Sequence, residues 1–324
     1  MADKAKIEWT DATWNPLRGC SKVSDGCRNC YAESVANRFS GPGQPYEGTI
    51  SNGRWNGQIR LVPEVLEQPW KWQRPRRIFV NSMSDLFHPN VPFEYIDQVF
   101  FTMAIAKRHT FQVLTKRPER MLEWFNRDVG EWSEPLFAWR MKNWPLPNVW
   151  LGVSVENQKA ADERIPLLVE TPAAVRFLSC EPLLGPVNLG KWLLTPGWAP
   201  SYYDPDNIHG YPNAEPTNEH IQWVIVGGES GRNARPMHPD WARSLRDQCH
   251  ASNVPYLFKQ WGEWGPAELH DDDSVLYGEW HKQGGFIESC LCEKGEGTVQ
   301  RVGKKRAGRE LDGRTWDEYP EGRQ

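Results

Sequence analysis

Six short runs of apolar, β-branched and aromatic residues alternate with segments of helical spacing, and this rhythm constrains the fold more than any other feature. The runs are Arg77–Asn81, Phe111–Thr115, Val149–Val155, Val175–Ser179, Gln222–Val226 and Pro255–Lys259; each has the length and composition of a buried strand. Between them, Phe93–Lys107, Pro118–Arg127, Lys159–Val169 and Asp240–Ser252 carry helical spacing, several opened by Pro or Asp, which suit a first turn. A further strand is expected near Thr13–Asn15. Alternation of this kind favours a parallel sheet with crossover helices. The expected class is therefore α/β, a partial (β/α) barrel of about six to seven parallel strands, with a closed barrel or a doubly wound sheet as alternatives.

Three stretches break the rhythm. Ser40–Pro69 is rich in Gly, Pro and Asn and reads as an excursion before the second strand. Pro186–His220, rich in proline with little periodicity, reads as a surface insertion. From Gly262 onward the chain is polar, with acidic Asp271–Asp273 and a later basic stretch. The expected division is a barrel domain over 1–262, insertions at 40–69 and 186–220 included, and an extension over 263–324 packed on or near it.

The 324 residues hold 38 basic and 42 acidic side chains, a formal charge of −4, which excludes a uniformly basic nucleic-acid binder but permits a local basic patch. No apolar run has the length of a membrane span, and the first residues lack the apolar stretch of a signal peptide. A cytoplasmic protein without a membrane partner is expected. In the tail, Arg301, Lys304, Lys305, Arg306, Arg309 and Arg314 read more readily as a solvated basic face than as phosphate contacts. The 18 tryptophans, Trp150, Trp223 and Trp241 among them, read as packing.

Ligands of parallel α/β folds gather at the carboxyl ends of the strands. Here those ends are polar throughout: Asn81, Ser82, Ser84 and Asp85; Thr115, Lys116 and Arg117; Ser154, Glu156 and Asn157; Cys180 and Glu181; Gly227, Gly228, Glu229 and Ser230; Lys259 and Gln260. The Gly227–Gly231 run lacks the spacing of a dinucleotide or P-loop motif and reads as a tight turn.

Three of the seven cysteines, Cys20, Cys27 and Cys30, form C-x6-C-x2-C directly after the expected first strand. Three thiolates on one loop suit a [4Fe–4S] cluster with one iron left open. The alternative is a structural zinc site, its fourth ligand drawn from Cys180, Cys290, Cys292 or a histidine such as His88. His88 and His238 read otherwise as structural.

The segment TWNPLRGC that opens the cysteine loop, running on as C-x6-C-x2-CYA, followed by NSMSDLFH at Asn81–His88, LTKRPERM at Leu114–Met121, NVWLGVSVEN at Asn148–Asn157, CEPLLGP at Cys180–Pro186, VIVGGESG at Val224–Gly231, FKQWG at Phe258–Gly262 and GRELDGRTWDEYP at Gly308–Pro320, resembles the phage-associated three-Cys-motif family. That family is similar to the radical S-adenosylmethionine superfamily, whose usual spacing is C-x3-C-x2-C. The resemblance implies that Cys20, Cys27 and Cys30 hold a [4Fe–4S] cluster whose open iron binds S-adenosylmethionine, cleaved by one electron to methionine and a 5′-deoxyadenosyl radical. It implies cofactor contacts from Ser82, Ser84, Asp85, Ser154, Glu156, Asn157, Gly227, Gly228 and Glu229. Catalytic roles fall to Lys116, Glu181 and Lys259, with Gln260 facing cofactor or substrate. The expected partners are a nucleic acid or nucleotide substrate, a separately encoded three-Cys-motif partner protein and an external electron donor. A non-enzymatic iron–sulfur or zinc protein that binds nucleic acid or a partner chain is the alternative.

Overall fold

The computed structural model describes residue 5 and residues 7–127, 144–193, 220–266, 277–281, 285–289 and 298–320, with backbone alone for 277–281 and 285–289. Cys290, Cys292, Asp271–Asp273 and most of the 186–220 insertion lie outside the described residues. Seven parallel strands form the main sheet: β1 (Ala12–Trp14), β2 (Arg77–Val80), β3 (Thr110–Thr115), β4 (Val149–Ser154), β5 (Val175–Cys180), β6 (Trp223–Gly227) and β7 (Tyr256–Gln260). Their order in the sheet is their order in the chain. A doubly wound sheet needs a reversal of strand order; none is present, and the sheet is a half-barrel. Each expected strand is found within one or two residues of its predicted bounds. The run at Pro255 extends to Gln260, so Lys259 and Gln260 end the strand rather than follow it.

The helices that follow the strands are α1 (Tyr31–Arg38), α2 (Phe93–Ile105), α3 (Pro118–Phe125), α4 (Gln158–Glu170) and α5 (Pro239–Ala251). Proline opens α3 and α5, where its missing N–H is no loss. Asn157 caps α4, its Oδ1 accepting from the Ala160 amide at 3.0 Å, which supplies a partner for an otherwise orphaned donor.

One face of the sheet packs on these helices in a large apolar core. The other holds a separate cluster of Trp9, Phe79, Trp150, Phe177, Trp223, Ile225 and Leu257. Its rings meet at tilted or edge-on geometries, with Trp9 4.6 Å from Phe79 and Trp223 5.7 Å from both Trp150 and Phe177, the arrangements aromatic quadrupoles favour. Gly152 of β4 leaves the room the Phe177 ring fills: a Cβ there would stand 2.6 Å from it. Trp150 and Trp223 are thus packing residues, as expected, and Trp241 rests partly buried on the helix-side core.

The polar tail is built into the structure. Residues 316–318 run along the edge strand β7: the Phe258 amide donates to the Trp316 carbonyl at 2.9 Å, and Leu257 pairs with Asp317. The Trp223 indole donates to the Glu318 carbonyl at 2.8 Å, and Val299–Arg301 pairs antiparallel with Trp264–Pro266. The basic stretch is only partly a solvated face, a correction to its reading as one. Arg309 pairs with Asp317, Arg301 donates to the Arg232 carbonyl, and the Arg314 guanidinium lies 3.4 Å from the Trp316 ring centroid. Among the described residues, no helix is long and apolar enough to cross a membrane.

Candidate functional site

The cysteine loop starts where β1 hands over to Leu17–Arg18, which pairs antiparallel with Arg60–Leu61 of the excursion. Gly19 follows with φ +95°, bridged to Ser84. A Cβ on Gly19 would stand 2.1 Å from the Gln58 carbonyl oxygen, so only glycine lets the chain turn here. Cys20 comes next, Cys27 ends the single 3-10 turn Asp25–Cys27, and Cys30 directly precedes α1. All three thiols are free and half-buried.

Two buried networks hold this loop. At its start, the Arg117 guanidinium pairs with Asp85 at 2.8 Å, donates to the Ser21 carbonyl and hydroxyl at 2.9 Å each, and reaches Cys20 Sγ at 4.0 Å. Asp85 also accepts from the Thr115 hydroxyl at 2.7 Å and the Lys116 amide at 3.2 Å. Burial, with Asp85 adding to it against Arg117, pushes the Cys20 thiol up to about 12. At the far end, Glu229 accepts from Asn29 Nδ2 at 2.9 Å and from Arg235 through its backbone amide, Nε and Nη2. Arg235 in turn donates to the Asp25 carbonyl at 2.9 Å. Burial would raise the Glu229 carboxyl, but these donors outweigh it and hold it below the ordinary range.

The three cysteines line one cavity of about 430 Å³ at the carboxyl edge of the sheet, a size that accommodates a cofactor. Most residues expected at the site meet there: Ser82, Ser84, Asp85, Lys116, Ser154, Glu181, Gly228, Glu229, Lys259 and Gln260 all line it. Several are already committed within the protein. Ser84 Oγ donates to the Leu17 carbonyl, and Asp85 and Glu229 anchor the loop. Lys259 pairs with Glu181 at 2.5 Å, while Gln260 Nε2 donates to Ser230 Oγ at 3.0 Å. Glu156, Asn157 and Gly227 lie outside this lining. Glu156 pairs with Arg164 at 2.8 Å, and Asn157 is the α4 cap. Both border a second, neighbouring cleft of about 720 Å³, into which Lys116 and Arg117 also extend. Burial opposes ionisation of Glu156, but Arg164 overrides it and its carboxyl is held below the usual value. The carboxylate lies directly under the cysteine loop, 3.1 to 3.3 Å from where a Cβ on Gly26 would be.

The floor of the cavity includes Trp9, Phe79 and Leu114, and Asn81, Tyr31, Trp55, Arg117 and Lys304 complete its wall and rim. Asn81 stood in the strand-end census without a role. It is 2% exposed, sits at φ +60°, and neither its Nδ2 nor its Oδ1 meets a hydrogen-bond partner among the described residues. Trp9 Nε1 and Gln260 Oε1 are likewise buried and unmatched. Buried polar atoms are normally satisfied, so three unmatched groups around one cavity are donors and acceptors available to a ligand. No sequence pattern marks Trp9, and Lys304 stood out only as one of the basic tail residues; both reach the site through the fold of the two chain ends.

The residues present suit a [4Fe–4S] cluster. Each thiolate of a cubane binds a different iron, so the thiols need to share a cavity rather than meet at one point. Among the described residues, no group of three or more His, Cys, Asp or Glu side chains is gathered closely enough to hold a metal ion as the side chains stand, the three cysteines included. Of the candidates for a fourth zinc ligand, Cys290 and Cys292 lie outside the described residues, and Cys180 is buried in the helix-side core. His88 Nε2 bonds Ser21 Oγ at 2.8 Å and Nδ1 accepts from the Asn90 amide at 3.2 Å. Burial, reinforced by Arg117, pulls His88 down to about 4; it is a neutral, structural side chain.

Comparison with curated proteins and with solved structures finds no match. The loop, the strand-end residues and the tail that covers β7 nevertheless fall inside a single family profile aligned over residues 4–320, and the chain therefore belongs to the family described as "Protein of unknown function (DUF5131)".

Proposed function

We propose that the chain is a radical S-adenosylmethionine enzyme, with Cys20, Cys27 and Cys30 as the protein ligands of a [4Fe–4S] cluster. The observation that carries this reading is that three free thiols of one loop share a cavity at the carboxyl edge of a parallel half-barrel. When bound, the cluster supplies the electron that cleaves S-adenosylmethionine to methionine and a 5′-deoxyadenosyl radical.

The chain's own part is to hold, orient and keep water out. Arg117 with Asp85, and Glu229 with Arg235 and Asn29, fix the two ends of the loop. Trp9, Phe79 and Leu114 give the cavity an apolar floor, on which a reactive species is shielded from solvent. The three carboxylates of the lining each have a cationic partner, Asp85 with Arg117, Glu181 with Lys259 and Glu229 with Arg235. Lys116 Nζ has no hydrogen bond or ion pair among the described residues and serves as the counter-ion of the methionyl carboxylate. Lys259, held by Glu181 at 2.5 Å, offers a charged donor. The Asn81 amide offers a donor and an acceptor side by side.

Asn81→Gly isolates that last role, because glycine keeps the positive φ at no steric cost and no internal hydrogen bond is lost. Thermal stability should change by less than about 1 kcal/mol, while calorimetric titration of S-adenosylmethionine into the loaded protein should show affinity lowered about tenfold. The reading as a whole is tested by anaerobic reconstitution. About four irons and four sulfides per chain are expected, with an electron paramagnetic resonance spectrum that changes on adding S-adenosylmethionine. One zinc per chain and no reducible cluster contradicts it.

A further inference from the structure

Among the described residues, four large apolar side chains are exposed: Val23, Tyr31, Phe39 and Ile105. Three of them lie on the cysteine loop or at the two ends of α1, and this clustering marks a working surface rather than scattered exposure. Tyr31 is 53% exposed yet fixed, its hydroxyl donating to the Ser82 carbonyl at 2.6 Å. Its ring is therefore a rigid platform at the rim of the cavity. Trp55, half-buried, shares the rim, its backbone amide held by Glu33 at 3.0 Å. Along α1, Tyr31, Ser34 and Arg38 are all exposed and follow i, i+3, i+7, so they make one stripe about 10 Å long by helical rise. Phe39, 49% exposed, continues it.

The charges fit the rings. Each lining carboxylate is paired with its own cation, and Lys304 is left at the rim, exposed and with no hydrogen bond or ion pair to its ammonium among the described residues. Lys305 beside it and Arg54 beside Trp55 are also exposed. The chain as a whole carries −4, so this positive rim is local. One ring exposed at a fixed position, a second half-buried ring beside it on the rim and cations flanking both are what a stacked base and its phosphates require.

We propose that the mouth of the cavity binds a single-stranded nucleic acid, one base stacking on Tyr31 and Trp55, with backbone phosphates on Lys304 and Arg38. Duplex is disfavoured, because a paired base presents no free face to a ring at a cavity mouth. The inference names the substrate class of the site proposed above and rests on that reading.

Fluorescence anisotropy of labelled single-stranded DNA, single-stranded RNA and duplex with the full reconstituted chain tests it without requiring turnover. One of the two single strands should bind more tightly than duplex, with affinity that falls as salt rises. Tyr31→Leu should weaken binding about five- to hundredfold while Tyr31→Phe retains it. Lys304→Ala should lower the log–log salt slope by about one. Ile105→Ala, at the end of α2 away from the cavity, should change nothing. Absence of strand binding, preference for duplex, or binding indifferent to Tyr31→Leu and Lys304→Ala overturns the proposal. Cleavage of S-adenosylmethionine without strand binding removes this substrate class alone, whereas strand binding without cleavage removes the enzyme reading and leaves the strand site standing.

Discussion

Serine at Cys20, Cys27 or Cys30, one at a time, is expected to leave a folded chain that no longer retains its iron and sulfide and forms no 5′-deoxyadenosine above the background of the unreconstituted protein. The loop is tied at both ends by groups other than the thiols, Arg117 with Asp85 and Ser21 at one end, Glu229 with Asn29 and Arg235 at the other. Loss of one sulfur therefore removes a ligand and not the loop. Cys249→Ala is the matched control. Cys249 and Cys180 are buried in the helix-side core, where burial pushes both thiols up, and neither lines the cavity. That variant should keep its visible absorption and its iron, and circular dichroism should find all four variants folded. A Cys27→Ser chain that holds as much reducible iron as the native one contradicts the ligand assignment.

The expected organisation of the chain was largely legible from the apolar runs, because parallel strands buried on both faces are continuous rather than alternating in pattern. The sheet's exact kind was not: a half-barrel and a doubly wound sheet share the same strand–helix rhythm and differ only in which strands are neighbours. The strand-end residues were legible as a group that meets at one edge of the sheet, but not one by one. Glu156 and Asn157 have the right residue types at the right place, yet one is consumed by Arg164 and the other caps a helix, and only the packing of α4 decides that. Asn81, by contrast, looked like any strand-terminal residue until its amide proved buried and unmatched. Trp9 and Lys304 enter from the two ends of the chain, and no local pattern predicts such a meeting.

The second large effect lies beneath the cysteine loop. Arg164 and Glu156 are almost wholly buried and joined at 2.8 Å, with Arg164 also donating to the Ser154 carbonyl at 2.8 Å. Arg164→Met should destabilise the fold by about 3–5 kcal/mol, because it leaves a buried carboxylate without its cation. Adding Glu156→Gln should restore much of that loss, since the remaining group is neutral. Urea unfolding of the native, single and double variants measures both steps. The same pair sets a pH dependence. Glu156 has a folded-state pKa below its ordinary value of about 4.3, so its contribution is fully present above that value and is lost as pH falls through the lower, folded-state one. The native chain should therefore lose stability more steeply below about pH 4.5 than the double variant does; identical acid profiles would remove the pair from the account. Because Gly26 rests against Glu156, the single variant should also bind iron less firmly.

The central claim is that a three-thiol loop on this half-barrel serves radical chemistry, and the most direct measurement is the product of S-adenosylmethionine. The anaerobically reconstituted and reduced protein, mixed with S-adenosylmethionine and analysed by chromatography, is predicted to yield 5′-deoxyadenosine and methionine in equal amounts, with none from Cys27→Ser. Native protein that carries a full, reducible cluster and binds S-adenosylmethionine but releases no 5′-deoxyadenosine would contradict it.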